Sequence, residues 1–264
     1  MYYTNTRRED GFGAQYQSLI FNIVFTEEYR KAVFAYTSPD FVKVYGDEAD
    51  ELEAIMNLKG LFPKKEEVEE RGETVIVNNE FKETFPYFEA NIDNYIRSAS
   101  MEKIRRAFNE RNGQFAFVKR DENIVNVAVH IRRPSKNPNI DLKEHLEGVD
   151  VKTLSIEESA RSCPRFSVND RYLRVMQHLR HKYGGRSRFY IFAEGDMTDF
   201  ENLKGDDVIF ELDKPVDYSF SKLVYADVLV ASWSSFSYTA ALLSKGEVWY
   251  QPFWHRGASH WNRY

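Results

Sequence analysis

The stretch from Tyr225 to Ser244 constrains the fold most. It contains a short apolar run, Val228-Leu229-Val230-Ala231, of the kind that fills a buried strand. Serines follow at 232, 234, 235 and 237, and then a helix-like run from Tyr238 to Leu243. The pattern describes a strand that ends, turns and feeds a helix through hydroxyl-rich residues. The first turn of a helix has unpaired N–H groups and carries about half a positive charge. Such a turn is a seat for a phosphate. A helix N-cap explains one serine, but four within six residues exceed what capping needs.

The rest of the chain repeats this alternation of strands and helices. Strands are expected at Tyr2 to Thr6, Ala32 to Tyr36, Thr74 to Val77, Asn123 to Ile131, Arg188 to Ala193, Val208 to Leu212 and Glu247 to Gln251. Helices are expected at Ala14 to Lys31, Asp47 to Leu58, Lys64 to Arg71, Ile92 to Asn109, Asn169 to Tyr183 and Phe220 to Ala226. Pro134 to Pro164 has little periodicity and reads as a long functional loop. Alternating elements of this kind imply a mostly parallel sheet with helices on both faces. Ligands of such sheets bind beyond the carboxyl ends of the strands. His130-Ile131-Arg132-Arg133, Glu194-Gly195-Asp196 and Ser232 to Ser237 all fall at such ends.

Composition narrows the function. The formal net charge of -5 over 264 residues argues against general nucleic-acid binding, although a local basic patch stays open. Cys163, the single cysteine, excludes an internal disulfide and a cysteine zinc cluster. Met1 is followed by polar residues, and no run approaches a membrane span. A cytoplasmic protein without a membrane anchor is expected.

Arg132 and Arg133 leave a buried-type strand, and arginine's planar fork suits two-point contact with phosphate oxygens. Surface ion pairs with carboxylates would explain them equally. His130 alternates with Ala128 and so lies on one face of its strand; it reads as a core histidine or a nucleotide contact. In Glu9-Asp10-Gly11-Phe12-Gly13, the glycines allow close approach to a ligand. Asp10 or Glu9 could accept a proton from a hydroxyl nucleophile, or be a solvated loop charge. G-F-G lacks the third glycine of a dinucleotide fingerprint, and neither a P-loop nor a nucleophile elbow is present.

Gly11-Phe12-Gly13-Ala14-Gln15, His130-Ile131-Arg132-Arg133 and Ser234-Ser235-Phe236-Ser237, in this order, resemble the fucosyltransferase superfamily of GT-B glycosyltransferases, which includes the α1,2-, α1,6- and protein O-fucosyltransferases. Ser234 to Ser244 with Pro252-Phe253-Trp254-His255 is more distantly similar to algal and algal-virus glycosyltransferases. The resemblance implies an α/β protein with two Rossmann-like doubly wound domains facing a central cleft. An acceptor-side domain over 1–115 and a nucleotide-sugar-binding domain over 116–264 are expected. It implies a metal-independent, inverting transfer of a sugar from a nucleoside diphosphate sugar to a glycan hydroxyl. Arg132 would hold the β-phosphate and His130 would lie near the nucleoside. Gly11, Phe12, Gly13, Arg133, Glu194, Asp217, Ser232, Ser234, Ser235 and Phe236 complete the expected donor site. Asp10 or Glu9 would be the catalytic base. No metal or other cofactor is expected. Pro134-Ser135 stand where the family often carries an acidic residue, so the donor is GDP-fucose by family default or a UDP-sugar such as UDP-xylose. The lack of an anchor and of disulfides favours a microbial or viral protein, in host cytoplasm if viral. The alternatives are an inactive nucleotide- or glycan-binding module and a kinase- or phosphatase-like enzyme.

Overall fold

The computed structural model describes residues 1–117, 123–133 and 165–264. The loop expected at Pro134 to Pro164, with Cys163, lies outside these residues. Contacts divide the chain into two compact units. Unit 1 is Met1–Gln114 with Trp254–Ser259, and unit 2 is Phe115–Phe253 with His260–Tyr264. Residues 254–259 thus pack with the first unit, outside the expected 116–264 domain.

Unit 1 begins with β1 (Tyr2–Thr4), which leads into α1 (Phe12–Val24) and then a π-helical turn, Phe25–Tyr29. β2 (Val33–Phe34), α2 (Val42–Tyr45), α3 (Ala49–Met56), α4 (Lys65–Glu70) and β3 (Val75–Val77) follow. A second π turn at Glu80–Thr84 precedes α5 (Phe85–Ala90), α6 (Ile92–Tyr95) and α7 (Ala99–Asn112). The strands form a parallel sheet in the order β2-β1-β3.

α1 is buried along nearly its whole surface. It packs against α5, α7 and the second π turn, and Phe21 stacks on Phe88 with centroids 3.8 Å apart. Its buried polar side chains therefore need partners inside the protein. Gln15 Nε2 donates to the Asp10 and Asp40 carbonyls. Gln17 meets His255 Nε2 at 3.1 Å, and Ser18 and Asn22 both donate to Glu80. The His255 ring is held on its other side by Glu89, 2.6 Å from Nδ1. Asp93 accepts from the Ser259 N–H. These contacts fasten residues 254–259 into unit 1.

Unit 2 contains β4 (Val125–His130), α8 (Asn169–Lys182), β5 (Ser187–Ala193), β6 (Val208–Leu212), α9 (Val216–Tyr225), β7 (Val228–Ala231), α10 (Ser235–Leu243), β8 (Glu247–Tyr250) and β9 (Asn262–Arg263). All its strand pairings are parallel, in the order β6-β5-β4-β7-β8-β9. From the first strand, β4, the sheet grows through β5 and β6 on one side and β7 onward on the other. This is the doubly wound Rossmann order, whose topological switch point lies between β4 and β7. The α/β expectation with parallel sheets therefore holds.

Side-chain alternation along β4 sorts the two faces. Val127, Val129 and Ile131 enter one core with Tyr172, Met176 and Leu179 of α8. Ala128 and His130 take the opposite face, where α9 packs on β4 and α10 on β7.

Gly246, between α10 and β8, lies against the backbone before β7. A Cβ there would stand 2.3 Å from the Ala226 carbonyl oxygen and 2.8 Å from that of Asp227. Both contacts are backbone in a paired segment, so relief requires moving a strand. Gly246→Ala is expected to destabilise unit 2 by about 2–3 kcal/mol, read as a lower thermal melting midpoint. An unchanged midpoint would contradict this packing.

Candidate functional site at the carboxyl edge of unit 2

Because the strands of unit 2 run parallel, the segments leaving β4, β5, β6, β7 and β8 share one edge. β4 and β7 pair directly, with Val129 opposite Val230. Their next residues carry His130 and the serine turn to the same place.

His130 Nδ1 is 2.8 Å from the Ser232 hydroxyl. Both residues are buried. Ser237 Oγ lies 3.5 Å from Ser232 Oγ, a weak link between the two hydroxyls. The Phe236 ring covers the imidazole at 5.3 Å, and Phe220 of α9 packs edge-on against Phe236 at 5.2 Å. Burial, helped by the Arg132 charge, pushes the His130 pKa down to about 3. The imidazole is therefore neutral across the working pH range, with one ring nitrogen a donor and the other an acceptor.

Ser234 is the N-cap of α10, and its hydroxyl accepts from the Phe236 N–H at 3.2 Å. This matches the capping explanation for one serine of the turn. Ser235 opens the helix, whose first turn faces the same edge as the β4 exit. Arg132 is half-buried and close enough to His130 to bias its protonation. Arg132 and Ser234–Ser235 thus leave adjacent strands at a common end.

Arg133 goes elsewhere, because consecutive residues in extended backbone point to opposite sides. It is buried and donates to the Ser167 carbonyl at 2.9 Å and to Asn169 Oδ1. Asn169 in turn donates to the Asp199 carbonyl at 2.6 Å. Its fork braces the start of α8. Glu194 follows β5 and is half-buried. Asp217 sits in the first turn of α9, where Oδ1 accepts from the Tyr218 N–H at 2.6 Å.

The glycine loop belongs to unit 1. Gly11 is the N-cap of α1, with extended backbone at φ -62°. Phe12 is 1% exposed and stacks on Phe41, so its side chain lies in the core. Gly13 lies in the buried first turn of α1. Asp10 accepts from Arg8 at 2.8 Å and from the Gly11 N–H at 2.8 Å. Glu9 is exposed and pairs with Lys43, which raises the lysine pKa.

Unit 1 also holds a cavity of about 350 Å³, lined by Thr6, Arg8 and the run Val77 to Phe81, that no motif in the sequence marks. The available signal was the polar Asn78-Asn79-Glu80 directly after an apolar strand.

Among the described residues, no group of three or more His, Cys, Asp or Glu side chains is placed to hold a metal, and no helix is long and apolar enough to cross a membrane. The fold and site define a doubly wound α/β protein with a polar switch-point edge. No family model matches the sequence, and no curated protein matches it. Among solved structures, a crystal structure of POFUT1 in complex with GDP is similar over 93% of this chain and 94% of that chain, at 10% identity and a TM-score of 0.41.

A histidine held neutral by burial lowers stability only where the unfolded chain would protonate it. Stability of unit 2 is thus expected to be independent of His130 above about pH 6.5 and to fall as pH drops from there toward 3. The slope from this residue is at most about 1.4 kcal/mol per pH unit. Melting curves of the wild type and His130→Gln check it: the variant should show a shallower acid limb. An identical limb would mean that His130 protonates readily in the folded state.

Proposed function

We propose that the chain is a glycosyltransferase that seats a nucleoside diphosphate sugar at the β4/β7 edge of unit 2. The observation that carries this reading is the switch-point meeting of Arg132, a neutral buried His130 and the serine-capped N-terminus of α10. Together they offer what a diphosphate needs: a guanidinium fork, hydroxyl donors and a positive helix end. The imidazole, neutral and fixed by Ser232, is suited to a hydrogen bond with an uncharged nucleoside group. Glu194 ends the strand next to β4, where an acidic side chain suits ribose hydroxyls in doubly wound folds.

In this reading Arg132 and the α10 terminus stabilise the charge that grows on the leaving diphosphate. The acceptor hydroxyl loses its proton to Asp10, or to Glu9, and attacks the anomeric carbon with inversion. Of the two, Asp10 is the one held in a single orientation, by Arg8 and the Gly11 N–H, while Glu9 pairs with Lys43 at the surface. No divalent ion is required for this scheme. The motif resemblance makes GDP-fucose the default donor, with UDP-xylose as the second choice.

Isothermal titration with GDP and UDP tests the seat. One of the two is expected to bind, and Arg132→Ala should weaken it by about 10- to 100-fold, the worth of a charge-assisted contact. Unaltered affinity in Arg132→Ala would remove the proposed donor site. Asp10→Asn should keep nucleotide affinity and lose sugar transfer, and transfer should persist in EDTA. Full transfer by Asp10→Asn would move the base elsewhere.

A further inference from the structure

Three of the four sheet-edge strands are short: β2 and β9 have two residues each and β3 has three. The fourth, β6, has five. It ends the sheet of unit 2, and among the described residues no strand pairs with its outer side. Its register with β5 is unbroken, so no bulge turns the edge away. It contains neither proline nor lysine. Its single charge, Glu211, is turned onto the α9 face, where the Tyr218 hydroxyl donates to it at 3.1 Å and Lys214 lies 3.7 Å away. Edge strands are ordinarily protected by shortness, bulges, prolines or lysines, and β6 has none of these. The direction of its backbone groups can also be read. The Asp207 carbonyl accepts from the Phe189 N–H at 2.8 Å, and the Asp213 N–H donates to the Ala193 carbonyl at 3.0 Å. Those partners belong to β5, and backbone groups alternate sides along a strand. The groups of Ile209 and Glu211 therefore face β5 as well, and those of Val208, Phe210 and Leu212 face outward. The Val208 N–H turns back to the Gly205 carbonyl at 3.0 Å. The rest of the outward row is a template for another strand.

We propose that β6 pairs antiparallel with β6 of a second copy of this chain, across a two-fold axis at Phe210. Placing Phe210 opposite Phe210 and Val208 opposite Leu212 makes the outward row its own complement. The two Phe210 residues exchange N–H and carbonyl bonds, and each Leu212 N–H donates to the Val208 carbonyl of the second copy. Charge complementarity favours this same register. It brings Asp206 toward Lys214 of the second copy, once at each end of the pair. Asp206 is exposed and makes no ion pair among the described residues, and the Lys214 side chain is 46% exposed. The register also sets Asp207 against Asp213. Arg180 offsets that like-charge pair by holding Asp207 at 2.6 and 2.9 Å. Ile209, 38% exposed, gains the stem of Glu211 from the second copy as a neighbour. Pairing uses up the β6 edge, so the assembly closes at two chains and does not grow into a filament.

The pairing is independent of the donor reading. Sedimentation velocity on the full chain, across a dilution series, tests it. A species of twice the 31.1 kDa chain mass is expected, dissociating on dilution. Ile209→Glu, at an exposed position, sets a carboxylate directly opposite Glu211 of the second copy in both halves of the pair. It should weaken the dimer about tenfold. Asp206→Lys should weaken it too, and adding Lys214→Asp to that variant should restore it. Melting curves check that each variant chain is folded. Slower amide exchange at Phe210 and Leu212 in concentrated than in dilute solution would support the same edge. A monomer at every concentration, the outcome if the edge serves another protein's strand, would overturn the proposal. So would assemblies larger than two chains, a dimer unaltered in Ile209→Glu, or a double variant no tighter than Asp206→Lys.

Discussion

Parallel strand pairing is the constraint on which the rest of this structure depends. A parallel neighbour cannot be reached by a tight turn, so the chain must cross over a face of the sheet and re-enter from the same end. Every strand of unit 2 then finishes at one edge. The polar residues that close each apolar run are collected there without any further instruction. Pairing of β4 with β7 brings His130 and Ser232 into hydrogen-bond distance although 102 positions separate them.

The electrostatics of that edge follow from depth. His130 is deep enough to lose its charge, and Arg132, two residues further along, is half-buried. Arg133 faces inward, where an arginine persists only if its N–H groups find acceptors. The Ser167 carbonyl and Asn169 supply them. Two adjacent arginines therefore lie at different depths, Arg132 half-buried at the strand end and Arg133 inside, bracing the start of α8. Ser234 shows a similar division: a hydroxyl engaged with the Phe236 N–H stabilises the helix start, and the turn around it remains a positive end.

Unit 1 solves a different problem. A helix enclosed on nearly all sides cannot leave polar side chains to solvent, so Gln15, Gln17, Ser18 and Asn22 act as internal fasteners. Gln17 catches residues 254–259 through His255. Ser18 and Asn22 hold the Glu80 carboxylate at the sheet edge. A buried carboxylate is stable only with such partners, and fixing one of its oxygens leaves the other oriented by the protein.

The local pattern of the chain was enough to mark most elements. Val208 to Leu212 and Val228 to Ala231 are strands with those bounds, because short apolar runs between polar residues have few other ways to bury themselves. The alternation of Ala128 with His130 also assigned the histidine its face, since strand side chains repeat every two residues. Helices α2 and α5 and both π turns were not legible, being too short for a helical period to show. Nor could periodicity announce strand order, which depends on contacts between residues far apart in the chain. That order alone brought His130 to Ser232, turned Arg133 toward α8, enclosed Phe12 against Phe41 and gathered Arg8, Asn78 and Glu80 around one cavity. The sequence by itself determined which segments would be strands and helices and which polar residues would end them, because those are local matters of burial and backbone geometry. Only the tertiary structure decided which of those polar residues meet and which are consumed inside the core, because that is settled by the sheet's pairing and by the demand that every buried polar group find a partner.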